Sequence, residues 1–367
     1  MKDAREERCA GFVLRLLLDE TADARLPEGV GWEDLLRVAA RNVVLLRLAE
    51  RLEAAGARVP DFFAEAVARE RRRAADAVET VRRVGHACER KGVRFIFAKA
   101  FQHYPDVGTD IDLFVLARSR ATDALVLEGT PAAPRRASLH ARLAGVSNYK
   151  VAGCETLLEI HHGRMGLLGE YGSHVSLLIR NAAPARAAGQ EFLSPSDEDV
   201  LVMQGMQRVY RHSFIRLCDI VSTATLLRRG RMDWDYVLGT TRRLGTGHGL
   251  RCYLGYVEQV HRQVFGRDLL PAWLRAELKT DGCGRVEFRE GVYRFPRLRV
   301  AGRIYVDKVR AAVRSGNWEG ASRLCLLPVL TVAAALRRLG RLAHSSSLQS
   351  WTAGFLACCL QLQNNLV

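Results

Sequence analysis

Hydrophobic periodicity changes twice along this chain, and those changes restrict its fold more than any other feature. From Trp32 to Ala55, Leu35, Leu36, Ala39, Val43, Leu46 and Ala49 recur at three- and four-residue steps, which predicts a helix stopped by Gly56. Asp61–Glu89 continues the helical pattern, with the run Arg69-Glu70-Arg71-Arg72-Arg73 expected on a solvated face, until Lys91-Gly92 ends it. The period then becomes β-like. Val93–Ala98 and Asp110–Leu116 read as strands, and Val146–Val151 with Thr156–His162 reads as a hairpin closed by Ala152-Gly153-Cys154-Glu155. A stretch of low hydrophobicity containing Pro131 and Pro134 lies between them. From Ser194 the helical spacing returns. Ser194-Pro195-Ser196-Asp197-Glu198 supplies an N-cap, a proline and early acids, and the helices Ile215–Arg228 and Trp234–Leu244 follow. Gly245–Gly249 is expected to be a turn, and residues 250–367 continue helical with an irregular, Arg-rich middle. A block of strands between helical runs predicts an α+β fold: helical residues 1–90, a sheet-bearing unit over 91–190, and a helical region over 191–367.

With 367 residues the chain exceeds what one core of roughly 250 residues accommodates. Its 48% apolar and 26% charged residues exclude a disordered, collagen-like or disulfide-dense chain. The net charge of +15 is carried almost wholly by arginine, since only Lys2, Lys91, Lys99, Lys150, Lys279 and Lys308 are lysines. The arginines are dispersed, so they permit an anionic substrate without marking a nucleic-acid tract. Nine cysteines show no Cys-x-x-Cys spacing and lie mostly beside aliphatic residues. With no leader-type segment before them, they set the expectation of free thiols in a reducing cytoplasm. The longest apolar stretches, Leu324–Leu336 with Pro328 inside and Trp351–Leu360, fall short of the roughly 20 residues of a membrane span.

The chemistry concentrates between Phe97 and His162. Asp110 and Asp112 flank Ile111 on a strand, so their carboxylates share one face. Like charges beside one another at the start of an apolar strand are costly unless a cation neutralises them, and Mg²⁺ takes oxygen ligands of this kind. On the later strand Glu159 supplies a third carboxylate and shares its face with His161, while His162 points the other way. Two Asp and a Glu make a ligand set for two Mg²⁺ ions. One ion activates an attacking hydroxyl and the other holds a triphosphate and its leaving pyrophosphate. Lys99, at the end of the preceding strand, is the expected phosphate contact. His161 is a candidate to orient a metal ligand or to act as a base.

The order Lys99-Ala100, Tyr104-Pro105, Thr109-Asp110-Ile111-Asp112-Leu113-Phe114-Val115 and Leu157-Leu158-Glu159-Ile160-His161-His162 resembles the DNA polymerase β-like nucleotidyltransferases. It looks most like the bacterial group of uncharacterised nucleotidyltransferase-family proteins. Trp32, Leu35-Leu36 and Ala39-Ala40 are similar to that group's N-terminal helix, and Ser194–Asp199 with Arg216-Leu217-Cys218-Asp219-Ile220 to its helical second domain. The resemblance runs from about residue 30 to 245. It implies a polymerase β-like mixed sheet between helical segments, and transfer of a nucleoside monophosphate from Mg–NTP, with ATP the expected donor. Asp110, Asp112 and Glu159 match the catalytic, metal-binding carboxylates and Lys99 the phosphate-side lysine. Asp219 matches a position that can contact substrate, or else pairs with Arg216 on a helix surface. Two departures stand out. Ala100 replaces the group's Gly, and the Lys99–Asp110 loop is short and lacks an Arg before the acids. Gly108 and Thr109 are expected to restore the phosphate turn through backbone N–H groups and the Thr hydroxyl.

The acceptor implied is a small molecule, a peptide or a protein. Modification of RNA or tRNA by a toxin-type enzyme is one alternative, and a non-catalytic accessory protein on the same fold is another. Retention of all three acids speaks against the latter.

Overall fold

The computed structural model describes residues 2–344 except Ala100, Arg118, Ser213 and 280–282. The Gly-to-Ala departure at Ala100 and the apolar stretch Trp351–Leu360 therefore lie outside the described residues. The chain opens with α1 (Lys2–Leu18), α2 (Trp32–Arg41), α3 (Leu45–Ala54) and α4 (Asp61–Arg90). The single helix expected over 32–55 is thus broken at Asn42–Val44. Asn42 is fully buried, and its side chain serves other segments: Nδ2 donates to Val38 O and Gly291 O, each at 2.8 Å, and Oδ1 accepts from Leu217 N at 3.0 Å. Val43 takes φ 55°, which a β-branched residue adopts only under tertiary constraint. Periodicity continues across this break because both pieces bury the same stripe.

The sheet unit comprises β1 (Phe95–Ala98), β2 (Asp110–Val115), α5 (Thr122–Val126), β3 (Ala132–Arg135), α6 (Leu139–Ala144), β4 (Val146–Val151) and β5 (Leu157–His162). Strand order is β1-β2-β5-β4-β3, with β2 and β5 parallel and the other pairs antiparallel. The sheet is mixed, and the fold is α+β as expected. The proline stretch yields β3, where Pro134 is tolerated because the strand lies at an edge. Alternation sends Ile111, Leu113, Val115, Leu158 and Ile160 to one buried face. Phe95 and Phe97 share that face and meet α4 at Gly85. Asp110, Asp112, Phe114, Glu159 and His161 occupy the other.

Beyond the sheet come α7 (Gly172–Arg180), the hairpin β6 (Ala183–Ala187) and β7 (Gln190–Ser194), and α8 (Asp197–Tyr210). Ser196 caps α8, its Oγ accepting from Asp199 N at 3.2 Å. There follow β8 (Phe214–Ile215), α9 (Leu217–Arg228), α10 (Trp234–Arg243), α11 (Gly247–Phe265), α12 (Ala272–Leu278), β9 (Glu287–Arg289), β10 (Val292–Arg294), α13 (Arg297–Arg314) and α14 (Trp318–His344). The expected turn at Gly245–Gly249 is shorter than its glycines suggest. Gly245 makes it at φ 69°, and Gly247 already begins α11. Glycine serves packing here: a Cβ on Gly205 of α8 would stand 2.8 Å from Leu250 Cα of α11. The irregular Arg-rich middle contains the β9–β10 hairpin, which pairs with β8.

Buried apolar residues form a continuous core from Cys9 of α1 to Ile304 of α13. Inside the protein, the Lys308 ammonium is bonded to Glu170 and lies 3.8 Å from the centre of the Tyr210 ring. Cys9, Cys88, Cys154 and Cys218 are buried free thiols, as expected. Cys252 and Cys283 depart from that expectation: they form a disulfide, with Cα atoms 5.4 Å apart. Spacing rules miss the pair because tertiary packing brings α11 to the segment before β9. Among the described residues, no helix is long and apolar enough to cross a membrane.

Candidate active site

The parallel pairing of β2 with β5 sets Asp112 directly opposite Glu159. Two carboxylates on neighbouring strands repel, and both lie largely out of water, so the arrangement requires cationic partners. The protein supplies the Lys99 ammonium and, beside it, the His161 imidazole. Lys99 Nζ lies 2.6 Å from Asp112 Oδ2, and His161 Nε2 lies 2.8 Å from Oδ1 and 3.8 Å from Glu159 Oε2. Lys99 follows β1 with φ 65°, a left-handed turn placed beside the Ala98–Asp112 pair. The His161 ring stacks on Phe114, centroids 4.2 Å apart and 10° from parallel. That fixes the imidazole beside both acids.

The electrostatics separate the two carboxyls. Burial alone would raise Asp112, but Lys99 and His161 overcome it and hold this carboxyl far below the usual carboxylate range. Burial pushes Glu159 upward, and the neighbouring Asp112 charge pushes it further. Asp112, Glu159 and His161 place one donor atom each within 4.8 Å of one another. Two carboxylates and an imidazole suit a divalent cation. Asp110, expected as the first ligand, is on the same face but outside that trio. It is partly exposed, and its Oδ1 accepts from the Thr109 hydroxyl at 3.1 Å.

The short loop between Lys99 and Asp110 is fixed from several sides. Asp106, 1% exposed, accepts from Leu46 N at 2.7 Å, Arg47 N at 3.3 Å and Arg47 Nε at 2.8 Å. It therefore caps α3, whose own N-cap Val44 makes no side-chain bond. Arg73 of α4 donates to Gly108 O at 2.6 Å and Val107 O at 2.5 Å. The solvated face expected for the arginine run holds for Arg69, Arg71 and Arg72 and fails at Arg73, which turns inward to the loop. His103 Nδ1 meets Ser222 Oγ of α9 at 2.7 Å, and burial pushes this imidazole down to about 3. Gly108 thus offers its carbonyl to Arg73, while Thr109 is exposed and its carbonyl accepts from Leu157 N at 3.2 Å.

Asp219 is fully buried rather than on a helix surface. It accepts from the Arg216 backbone N–H at 2.9 Å and pairs with the Arg208 guanidinium at 2.9 Å. Its role in the structure is to cap α9 and neutralise Arg208. His212, after α8, is pushed well below its ordinary value by burial, then by Arg208, Arg211 and Lys99. The end of α8 thus stands among the cations near Lys99. Nothing in the spacing of Arg47, Arg73, Asp106 or Arg208 signals these roles, because each depends on a contact between distant elements. His162, by contrast, faces away from the acids, with Nε2 3.1 Å from both Ser147 Oγ and Asp123 Oδ1.

An α+β protein with acids paired across two parallel strands and basic groups set against them is the class these observations define. Residues 28–262, more than half of the chain, match the family described as uncharacterised nucleotidyltransferase, and the chain belongs to that family. The match runs from just before α2 into α11 and contains every residue of the site described above. No curated protein and no solved structure matches the chain.

Proposed function

We propose that this chain is a polymerase β-like nucleotidyltransferase that moves a nucleoside monophosphate from an NTP, with ATP the expected donor, to a hydroxyl or similar acceptor. The acceptor belongs to a small molecule, a peptide or a protein. The observation that carries this reading is the register that sets Asp112 opposite Glu159, with Lys99 2.6 Å from Asp112. Asp112 and Glu159 would hold a Mg²⁺ ion, with Asp110 available to a second. Bound there, Mg²⁺ supplies charge stabilisation for the triphosphate and lowers the pKa of the acceptor hydroxyl. In the transfer, the acceptor oxygen forms a bond to the α-phosphorus and the bond to the β-phosphate bridging oxygen breaks. Pyrophosphate leaves with the electron pair. Lys99 neutralises phosphate charge on the loop side. The acceptor's proton passes to a neighbouring base, for which His161, 3.8 Å from Glu159 Oε2, is the candidate.

The competing reading is a binding protein without catalysis. Its support is that Lys99 and His161 already satisfy both oxygens of Asp112. Thermal shift with ATP, GTP, CTP and UTP, each with and without Mg²⁺, separates the two. At a hundred times its dissociation constant a nucleotide stabilises by about 2.7 kcal/mol. The expected result is a Mg²⁺-dependent shift that disappears in Asp112→Asn and Glu159→Gln. Absence of a shift with every nucleotide would sink the transferase reading.

A further inference from the structure

A pocket of about 560 Å³ opens at the β3–β4 edge of the sheet beside α5 and α6, with Asn148 and Arg135 on the face of Glu159 and the rest of its strand wall turned from it. Tyr149 and Ser147, in its wall, alternate away from the face that carries Glu159 and His161. Four arginines line it: Arg120, Arg135, Arg136 and Arg142. None of their guanidinium groups pairs with a carboxylate among the described residues. The acid in the lining, Asp123, is already engaged, accepting from Tyr149 Oη at 2.8 Å and facing His162 Nε2 at 3.1 Å.

Elsewhere several arginines that lie close together are matched by acids. Arg262 and Arg275 meet Glu258 and Asp268, and Arg82 and Arg83 share Glu79. Four unmatched charges around one concavity give it a positive potential, which its low-dielectric walls focus. Guanidinium forks match phosphate oxygens in bidentate geometry, and the volume suits a ligand of nucleotide size rather than an extended polymer.

We propose that this pocket is a second binding site, separate from the paired acids, for a small molecule bearing a diphosphate group, held by Arg120, Arg135, Arg136 and Arg142 without a metal ion. It stands whether or not the chain transfers nucleotides. The test is isothermal titration of the full chain, in EDTA, with inorganic pyrophosphate and separately with ADP. Saturable binding is expected, weakened at least tenfold by Arg135→Gln/Arg136→Gln and by Arg120→Gln/Arg142→Gln, and retained in Asp112→Asn. These arginines are exposed, so the variants are expected to fold, with circular dichroism as the check. Tighter binding of ADP assigns the site to a nucleoside diphosphate, and equal binding assigns it to the diphosphate alone. Binding that survives both arginine pairs, or that vanishes in Asp112→Asn, overturns the proposal. So does displacement of pyrophosphate by a single-stranded RNA oligomer that binds more tightly, since the occupant would then be a nucleic acid.

Discussion

Asp106→Ala removes the group that joins the Lys99–Asp110 loop to α3, and its cost follows from what is left behind. Three hydrogen bonds disappear, from Leu46 N, Arg47 N and Arg47 Nε. The Arg47 side chain, 15% exposed, keeps its charge without its paired carboxylate, and α3 loses the anion at its N-terminus. Breaking a largely buried ion pair from one side costs about 3–5 kcal/mol, and the lost cap falls within that figure. Asp106→Asn keeps a neutral acceptor, so about half of the loss is expected. Urea denaturation read by fluorescence measures both, with unchanged m-values showing that the comparison is sound. A double-mutant cycle with Arg47→Ala should give a coupling of about 1–3 kcal/mol. If Asp106→Ala costs less than about 1 kcal/mol, the loop is not fixed in the way these contacts require.

Three further outcomes are expected. His103 is held neutral by burial, down to about 3 from an ordinary 6.5, so between those values the unfolded chain binds a proton that the folded chain does not. Stability therefore falls as pH drops through that window, by about 1.4 kcal/mol per unit from this residue, and urea midpoints for His103→Asn from pH 7 to 4 should show a shallower slope. Gly205→Ala forces a Cβ within 2.8 Å of Leu250 Cα and should cost about 1–3 kcal/mol, whereas Gly239→Ala, in open space on α10, should gain about 0.5–1 kcal/mol in the same assay. Lys308→Met leaves Glu170 buried without its counter-charge and should cost about 3–5 kcal/mol, while Lys308→Met/Glu170→Gln should recover most of the loss by chemical denaturation.

What could be read from the sequence follows the range of the forces involved. Alternation along one strand is local, so the shared face of Asp110 and Asp112, and that of Glu159 and His161, was legible at once. Their meeting was expected from the ligand set and the family resemblance rather than from alternation, and the parallel pairing that sets Asp112 opposite Glu159 was not legible, because strand order is decided by packing over the length of the sheet unit. The same limit explains the hairpins β6–β7 and β9–β10, whose short strands carry little alternation. It also explains Asn42, whose partners Gly291 and Leu217 lie far along the chain. Arg73 sits in a run that looks like helix surface, and only the position of the Gly108 carbonyl turns it inward. Cys252 and Cys283 likewise meet through the tertiary fold alone.

The parallel pairing of β2 with β5 also carries a kinetic consequence. The two strands become neighbours only after residues 116–156 have closed into a loop that contains β3 and β4. Pairings between distant segments are slow, because the entropy of closing that loop is lost before the contact forms. The β4–β5 hairpin can assemble early, whereas Asp112 meets Glu159 only when the halves of the sheet join. Carboxylate repulsion is therefore confined to a late stage of assembly. Glu159→Gln should accelerate refolding to the extent that this junction is formed in the rate-limiting step, and its effect on the folding arm of a chevron would locate the junction in time.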